Sequence, residues 1–147
     1  MSRRKYKKAA ARRESGGFVP LPHVVLRSES FAGLSSHASK LVFDLFAQFN
    51  GSNNGDLCAA WSCMRKRGWK SQDTLDKAKK ELLGKEFIIV SRQGGRHKAT
   101  LYAFTFFAID ECKGKLDIAS THTPTSQWRR HEPSKAPPKI NPVQRVP

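Results

Sequence analysis

Cationic side chains are concentrated in a glycine-rich break between two apolar runs. The stretch reads SRQGGRHKAT, with FIIV before it and LYAFTFF after it. Its side chains that are or can be cationic are Arg92, Arg96, His97 and Lys98. Two apolar runs separated by a Gly-containing segment predict a β-hairpin. Guanidinium and ammonium groups at such a tip suit contact with the phosphates of a nucleic acid.

A second candidate contact surface lies on a predicted helix that Ser71 caps. With Leu75, Ala78 and Leu82 turned inward, the opposite face is polar. Glutamine can pair with adenine, aspartate can accept from cytosine N4, and lysine can contact phosphate or guanine. The residues that we expect to contact DNA here are Gln72, Asp73, Thr74, Lys77 and Lys80.

The acidic residues of this helix also have an ordinary surface interpretation. Asp73 in the first turn favours the helix N-terminus electrostatically. Asp76 can pair with Lys80 at i,i+4. Both roles are compatible with a solvated face that reads no bases.

A third cationic group surrounds the predicted turn before this helix. It comprises Arg65, Lys66, Arg67 and Lys70. Cations suit the C-terminal end of a preceding helix, and they also suit phosphate contacts, which set register without carrying sequence information. The two interpretations are compatible.

No constellation in the sequence predicts catalysis, a metal or a cofactor. Cys58 and Cys63 have the spacing C-x4-C without a matching Cys/His pair. The loop NGSNNGD places Trp61 where a calcium loop needs a glutamate, and no phosphate-binding glycine loop is present. We therefore expect a non-enzyme with reduced thiols, located in the bacterial cytoplasm in association with the nucleoid.

The elements that must position these groups follow from apolar periodicity. A helix stripe runs from Leu34 to Phe49, a second helix with Leu57, Ala60, Trp61 and Met64 on one face ends at 65–67, and GWKS forms a tight turn. The Ser71 helix ends near Leu83-Gly84, and strands follow over 87–92 and 100–109. A short strand near Asp56-Leu57 completes a three-stranded sheet. This order predicts an α+β, mainly α, winged helix-turn-helix.

Charge and composition divide the 147-residue chain into three parts. The net charge of +15 splits into +6 for residues 1–17, +4 for residues 18–112 and +5 for residues 113–147. The last part holds six of the eight prolines. We expect residues 18–112 to fold and the two basic ends to be disordered tails, with Trp128 the one C-terminal feature able to dock. No apolar run predicts a membrane span or a secretory signal.

The predicted last strand is apolar on both faces. Leu101, Ala103 and Phe107 lie on one face, and Tyr102, Phe104 and Phe106 lie on the other. A sheet face in water should carry polar residues. Either the segment FVPLPHVVL folds back over the second face, or a second copy of the chain covers it through Tyr102, Phe104 and Phe106.

Three stretches resemble a family of small bacterial helix-turn-helix proteins common on phages, prophages and plasmids, described as replication-initiator-like or regulatory. They are FVPLPHVVLRSESFAGLSSHASKLVFDLFAQFNGSNNGDL, RGWKSQDTLDKAKKELLGKEFIIVSRQGG and LYAFTFFAIDEC. The resemblance covers about residues 18–116. It implies a winged helix with Ser71 to Leu83 as recognition helix and Arg92 to Lys98 as wing. The sequence departs from a typical DNA reader by the acids Asp73 and Asp76.

These observations predict a protein that binds double-stranded DNA as a regulator or replication-type factor of a mobile element. The alternative is a winged-helix interaction module that binds and modulates a host or phage protein, with Asp73 and Asp76 pairing with a basic partner. A third interpretation is RNA binding that depends on the tails. The sequence leaves the target DNA and the oligomeric state open.

Overall fold

The computed structural model describes residues 3–133 and has an α+β fold that is mostly helical. Its helices are α1 (Arg3–Ala10), α2 (His23–Leu26), α3 (Glu29–Ala32), α4 (Ser36–Phe46), α5 (Trp61–Met64) and α6 (Gln72–Gly84). Its strands are β1 (Leu57–Cys58), β2 (Ile88–Arg92) and β3 (Leu101–Phe104). Single 3-10 turns lie at Arg65–Arg67, Cys112–Gly114 and Gln127–His131. The α+β prediction and the short strand near residue 57 are confirmed.

The two longer helices of the core start at serine caps. The Ser35 hydroxyl accepts a hydrogen bond from the Ala38 amide, and the Ser71 hydroxyl accepts one from Thr74. The apolar stripe of each helix is buried, and the two helices pack together. The Glu81 carboxylate on α6 accepts from the Ser35 amide at 2.8 Å, which fixes the start of α4 against α6.

The second predicted helix is shorter than its apolar pattern indicated. Leu57 belongs to β1, and the helix begins only at Trp61. The four-residue α5 passes into the 3-10 turn at 65–67, and Gly68 then adopts a φ of 91°, which breaks the helix. Leu57 faces the core from a strand rather than from a helix because it pairs with Tyr102 of β3.

The sheet is antiparallel, in the order β1-β3-β2, with a register irregularity between Val90 and Arg92. Strand β3 ends at Phe104, well before the predicted end at Ile109. Buried Asn54 causes this early end. Its Oδ1 accepts from the Phe104 amide at 2.7 Å, and its Nδ2 donates to the carbonyls of Phe104, Phe107 and Ala108. Residues 105–108 therefore curl around one side chain instead of extending.

Helix α4 covers one face of the sheet. The Phe46 ring stacks on Phe104 at 4.6 Å between centroids, and Phe49 stacks on Phe107 at 4.9 Å. Tyr102, Phe104 and Phe106 are 7%, 0% and 5% exposed. Phe104 and Phe106 lie against the Phe46 ring of α4, and Tyr102 lines a cleft with Gln72 and Lys79 of α6. A single chain therefore already covers the three side chains through which a second copy was expected to bind.

The segment after β3 packs against residues beside β1 and on β2. Leu116 contacts Gly55 beside β1, whereas the next residue, Asp117, donates its amide to the Ser91 carbonyl on β2. The Ser91 hydroxyl also donates to the Gly55 carbonyl, so this segment packs where these two residues already meet. Leu21 and Val25 of the FVPLPHVVL segment pack against the core, and Val25 is fully buried. Phe18 and Val19 of that segment are 65% and 40% exposed.

Residues 113–133 belong to the fold and are not the disordered tail that composition indicated. Trp128 is 2% exposed and stacks on Phe87 at 6.0 Å between centroids. The Glu132 carboxylate accepts from the backbone amides of Glu29 and Ser30. The prediction failed because proline content limits regular structure but does not prevent a chain from packing. The C-terminal part of the predicted tail, 134–147, lies outside the described residues.

The N-terminal basic segment is partly helical rather than disordered, since Arg3–Ala10 forms α1. No residue of α1 is buried, so this helix adds nothing to the core. Across residues 3–133, no helix has the length and apolar character needed to cross a bilayer.

Candidate nucleic-acid interface

The polar face of α6 points into solvent, as the helical periodicity predicted. Gln72, Asp73, Lys77 and Lys80 are exposed, and Thr74 is half-buried at the edge of the face. Lys77 Nζ lies 3.1 Å from Asp73 Oδ2, with both side chains 77% exposed. Solvent screens such an exposed pair, so Lys77 can exchange the aspartate for another anion at little free-energy cost.

The predicted pairing of Asp76 with Lys80 is wrong. Asp76 Oδ1 lies 3.2 Å from Lys79 Nζ, an i,i+3 pair, because Lys79 is only 21% exposed and lies on the flank beside Asp76. Lys80 therefore points outward without an ion-pair partner among the interactions of the described residues. Lys79 lies outside the predicted contact residues, although i,i+3 spacing makes it as suitable a partner for Asp76 as Lys80.

A cleft lies between the start of α6 and the beginning of β3. It has a volume of about 260 Å³. Its lining residues are Ala59, Ala60, Trp61, Gln72, Lys79, Thr100 and Tyr102. Gln72 at the start of α6 thus shares a cleft with Thr100, where the basic loop enters β3. The 3-10 turn with the 65–67 cations directly follows α5, which contributes Trp61 to the same cleft.

The hairpin ends in a two-residue turn at Arg96 and His97. Gly95 and Lys98 exchange backbone hydrogen bonds of 2.9 and 3.1 Å on either side of it. The residue with positive φ in this turn is His97, at 67°, and not Gly94 or Gly95. Arg96, His97 and Lys98 are all exposed at this tip.

Gly94 is needed for space instead. A Cβ at this position would lie 2.5 Å from the Thr100 amide nitrogen, since the two hairpin arms approach closely here. The Gly94 amide donates to the Thr100 hydroxyl at 3.1 Å. The close approach holds the tip at a defined place relative to β3.

Arg92 braces the hairpin and is not a free tip cation. Its Nη2 donates to the Ala99 carbonyl on the opposite arm at 2.8 Å, and its Nε is buried without a hydrogen-bond partner. The predicted phosphate contact by Arg92 therefore competes with a structural bond. Among the predicted wing cations, Arg96 and Lys98 are the free ones.

The cations before α6 divide in the same way. Arg65, Lys66 and Lys70 are exposed. Arg67 Nε instead contacts Asp44 Oδ1 at 3.1 Å, on a carboxylate that is 4% exposed. Arg67 is therefore held to α4 and contributes to the surface through the exposed remainder of its side chain.

Asp44 ties the turn to the core. Its carboxylate also accepts from Lys40 Nζ at 2.9 Å and from Trp69 Nε1 at 2.7 Å. Burial would raise the pKa of Asp44, but the hydrogen bonds from Lys40, Trp69 and Arg67 outweigh burial and hold the pKa below its ordinary value. Asp44 is thus ionised at neutral pH and fixes the segment that leads into α6.

Among residues 3–133, no three His, Cys, Asp or Glu side chains lie together as metal ligands would. The five-residue spacing of Cys58 and Cys63 does bring their sulfurs together, at 3.3 Å. The comparisons found no match to this chain among protein-family models, curated proteins or solved structures.

Proposed function

We propose that this protein is a winged helix-turn-helix protein that binds double-stranded DNA. On this proposal α6 enters the major groove with its N-terminal end, and the 92–98 hairpin is the wing that meets the adjacent backbone. The protein acts as a regulator or replication-type factor of a phage, prophage or plasmid, in line with the family resemblance of its sequence.

The observation that carries the proposal is the shared cleft between α6 and the hairpin. Gln72 and Thr100 both line it. The exposed cations Lys77, Lys80, Arg96 and Lys98 lie on the two elements that form its walls. A duplex lying across both elements would meet exposed cations from each of them.

The division of free and held cations predicts which contacts dominate. Arg96 and Lys98 at the tip, and Lys66 and Lys70 before α6, make backbone contacts that hold for any sequence. Gln72, Asp73 and Thr74 at the start of α6 have the chemistry to read bases. Backbone contacts therefore supply most of the affinity, and a small group supplies specificity.

The test is a salt-titrated binding measurement on a mixed-sequence duplex. The logarithm of the binding constant should fall with the logarithm of salt concentration by about 0.9 per neutralised phosphate. Lys77→Ala and Arg96→Ala should each weaken binding at low salt and reduce that slope by about 1.

Lys113→Ala is the matched control, because it removes one exposed lysine at the Asn54 end of the sheet, away from the tip. Its slope should equal that of the parent protein. If Lys113→Ala and Arg96→Ala reduce duplex affinity equally, binding depends on net charge alone and the proposed site is overturned. Base reading is tested separately by Gln72→Ala, which should reduce the preference for duplexes selected from a random pool.

A protein-binding role is the second candidate, and the ion pairs of α6 favour it. Asp73 and Asp76 each lie within 3.2 Å of a lysine, so much of the outer face is already neutralised. A basic partner could displace those lysines. Two results together would favour this role. The protein forms a nuclease-resistant complex with one host or phage protein, and Asp73→Asn disrupts that complex. The same preparation shows no salt-dependent binding in the duplex titration.

A further inference from the structure

Two thiols meet where β1 leads into α5. Cys58 is the last residue of β1, Cys63 lies within α5, and the two sulfurs are hydrogen-bonded at 3.3 Å. A disulfide needs about 2.05 Å between sulfurs. Both cysteines are free thiols. To close a disulfide, their two sulfurs must approach by only about 1.2 Å.

Hydrogen bonds of the surrounding backbone hold both cysteines in place. The Gln48 side chain accepts from the Cys58 amide at 2.8 Å and donates to the Cys58 carbonyl at 2.7 Å. The Cys63 amide donates to the Ala60 carbonyl at 3.0 Å. These bonds fix the backbone of both cysteines, so only rotation about each Cα–Cβ bond changes the distance between the sulfurs.

The two thiols differ in access. Cys63 is exposed, whereas Cys58 is half-buried beside α6, close enough to Lys79 for an electrostatic interaction. Burial raises the pKa of the Cys58 thiol, and its hydrogen bond to Cys63 raises it further. An oxidant in solution reaches Cys63 first, and Cys58 is placed to attack the product.

We propose that Cys58 and Cys63 form a peroxide-sensitive dithiol that closes into an intramolecular disulfide. The Cys63 thiolate attacks one oxygen of hydrogen peroxide and the O–O bond breaks. Hydroxide departs, and Cys63 becomes a sulfenic acid. The Cys58 thiolate then attacks the sulfenic sulfur, the S–S bond forms, and a second hydroxide leaves. The two thiol protons and two hydroxides give two waters, and peroxide accepts the two electrons.

Intramolecular closure should dominate over pairing between chains. Groups linked by a short segment meet at an effective concentration of about millimolar or above. At micromolar protein this exceeds the concentration of a second chain by about 1,000-fold. The product is therefore a monomeric disulfide that constrains residues 59–62, where β1 leads into α5.

The test uses the reduced full-length protein treated with hydrogen peroxide, quenched with catalase, denatured, alkylated and weighed by mass spectrometry. After oxidation, only Cys112 of the three cysteines should be alkylated, and the protein mass before alkylation should be lower by two hydrogens. Dithiothreitol should restore alkylation of all three cysteines. Cys112 is the internal control, since its sulfur contacts the Asn54 carbonyl at 3.7 Å and no second thiol among the described residues.

Variants assign the two steps. Cys58→Ser should stop at a Cys63 sulfenic acid that dimedone traps, and Cys112→Ser should leave no alkylated thiol after oxidation. Three alkylated cysteines after peroxide, or disulfides that link two chains, would overturn the proposal. Because the readout is thiol chemistry, it does not depend on whether the protein binds DNA.

Discussion

Replacing Trp128 with alanine tests whether the C-terminal segment is an integral part of the fold. Trp128 is 2% exposed, and its ring lies parallel to that of Phe87, with 15° between the planes and 6.0 Å between centroids. A buried tryptophan removes about 150–250 Å² from water, which corresponds to about 4–6 kcal/mol at 25 cal/mol per Å². That value is an upper estimate, because unfolded chains already bury part of this area.

We therefore expect Trp128→Ala to lower the free energy of unfolding by about 3–5 kcal/mol, the range measured for buried aromatic truncations. The midpoint of thermal unfolding should fall by about 10 °C. The assay is urea and thermal unfolding followed by far-UV circular dichroism, which does not depend on tryptophan fluorescence.

Two variants make the result interpretable. Trp128→Phe keeps an aromatic ring against Phe87 and should retain most of the stability. His122→Ala changes an exposed side chain of the same segment and should alter the unfolding free energy by less than about 0.5 kcal/mol. If Trp128→Ala also changes it by less than about 0.5 kcal/mol, the segment is not docked and the reasoning fails.

Two further predictions concern buried polar side chains. Asp44→Asn removes the charge from a carboxylate with three donors, so it should lower stability at pH 7 by about 1.5–3 kcal/mol. Because the folded-state pKa of Asp44 is lowered, its contribution is complete above the unfolded value near 3.8 and is lost as pH falls through the folded pKa. The difference between parent and variant in urea unfolding should thus narrow below about pH 4; a constant difference contradicts the ionised assignment. Asn54→Ala leaves the buried carbonyl of Phe104 and the partly buried carbonyls of Phe107 and Ala108 without this donor, and it should lower the unfolding free energy by about 2 kcal/mol. Hydrogen exchange of the Phe104 amide should accelerate, whereas Asn53→Ala, a change at a partly buried neighbour, should leave that amide protected.

The amino-acid sequence by itself determined the local elements that depend on neighbouring residues. Ser35 and Ser71 mark the starts of α4 and α6, because an N-cap is a contact across three residues. The buried face of α6 follows from the spacing of Leu75, Ala78 and Leu82. Exposure of the opposite face at Lys77 and Lys80 follows from the same periodicity, so these candidate contacts were accessible to prediction.

Long-range contacts decided the remainder. Strand β3 ends at Phe104 because Asn54, fifty residues earlier, binds its last backbone groups. Composition cannot reveal that Trp128 has a partner in Phe87. Likewise, Arg67 and Arg92 read as free cations until Asp44 and the Ala99 carbonyl are placed beside them. In each case the contacting groups are distant in the chain or lie on opposite sides of a turn. Tertiary packing, and not the neighbouring sequence, decides which groups meet.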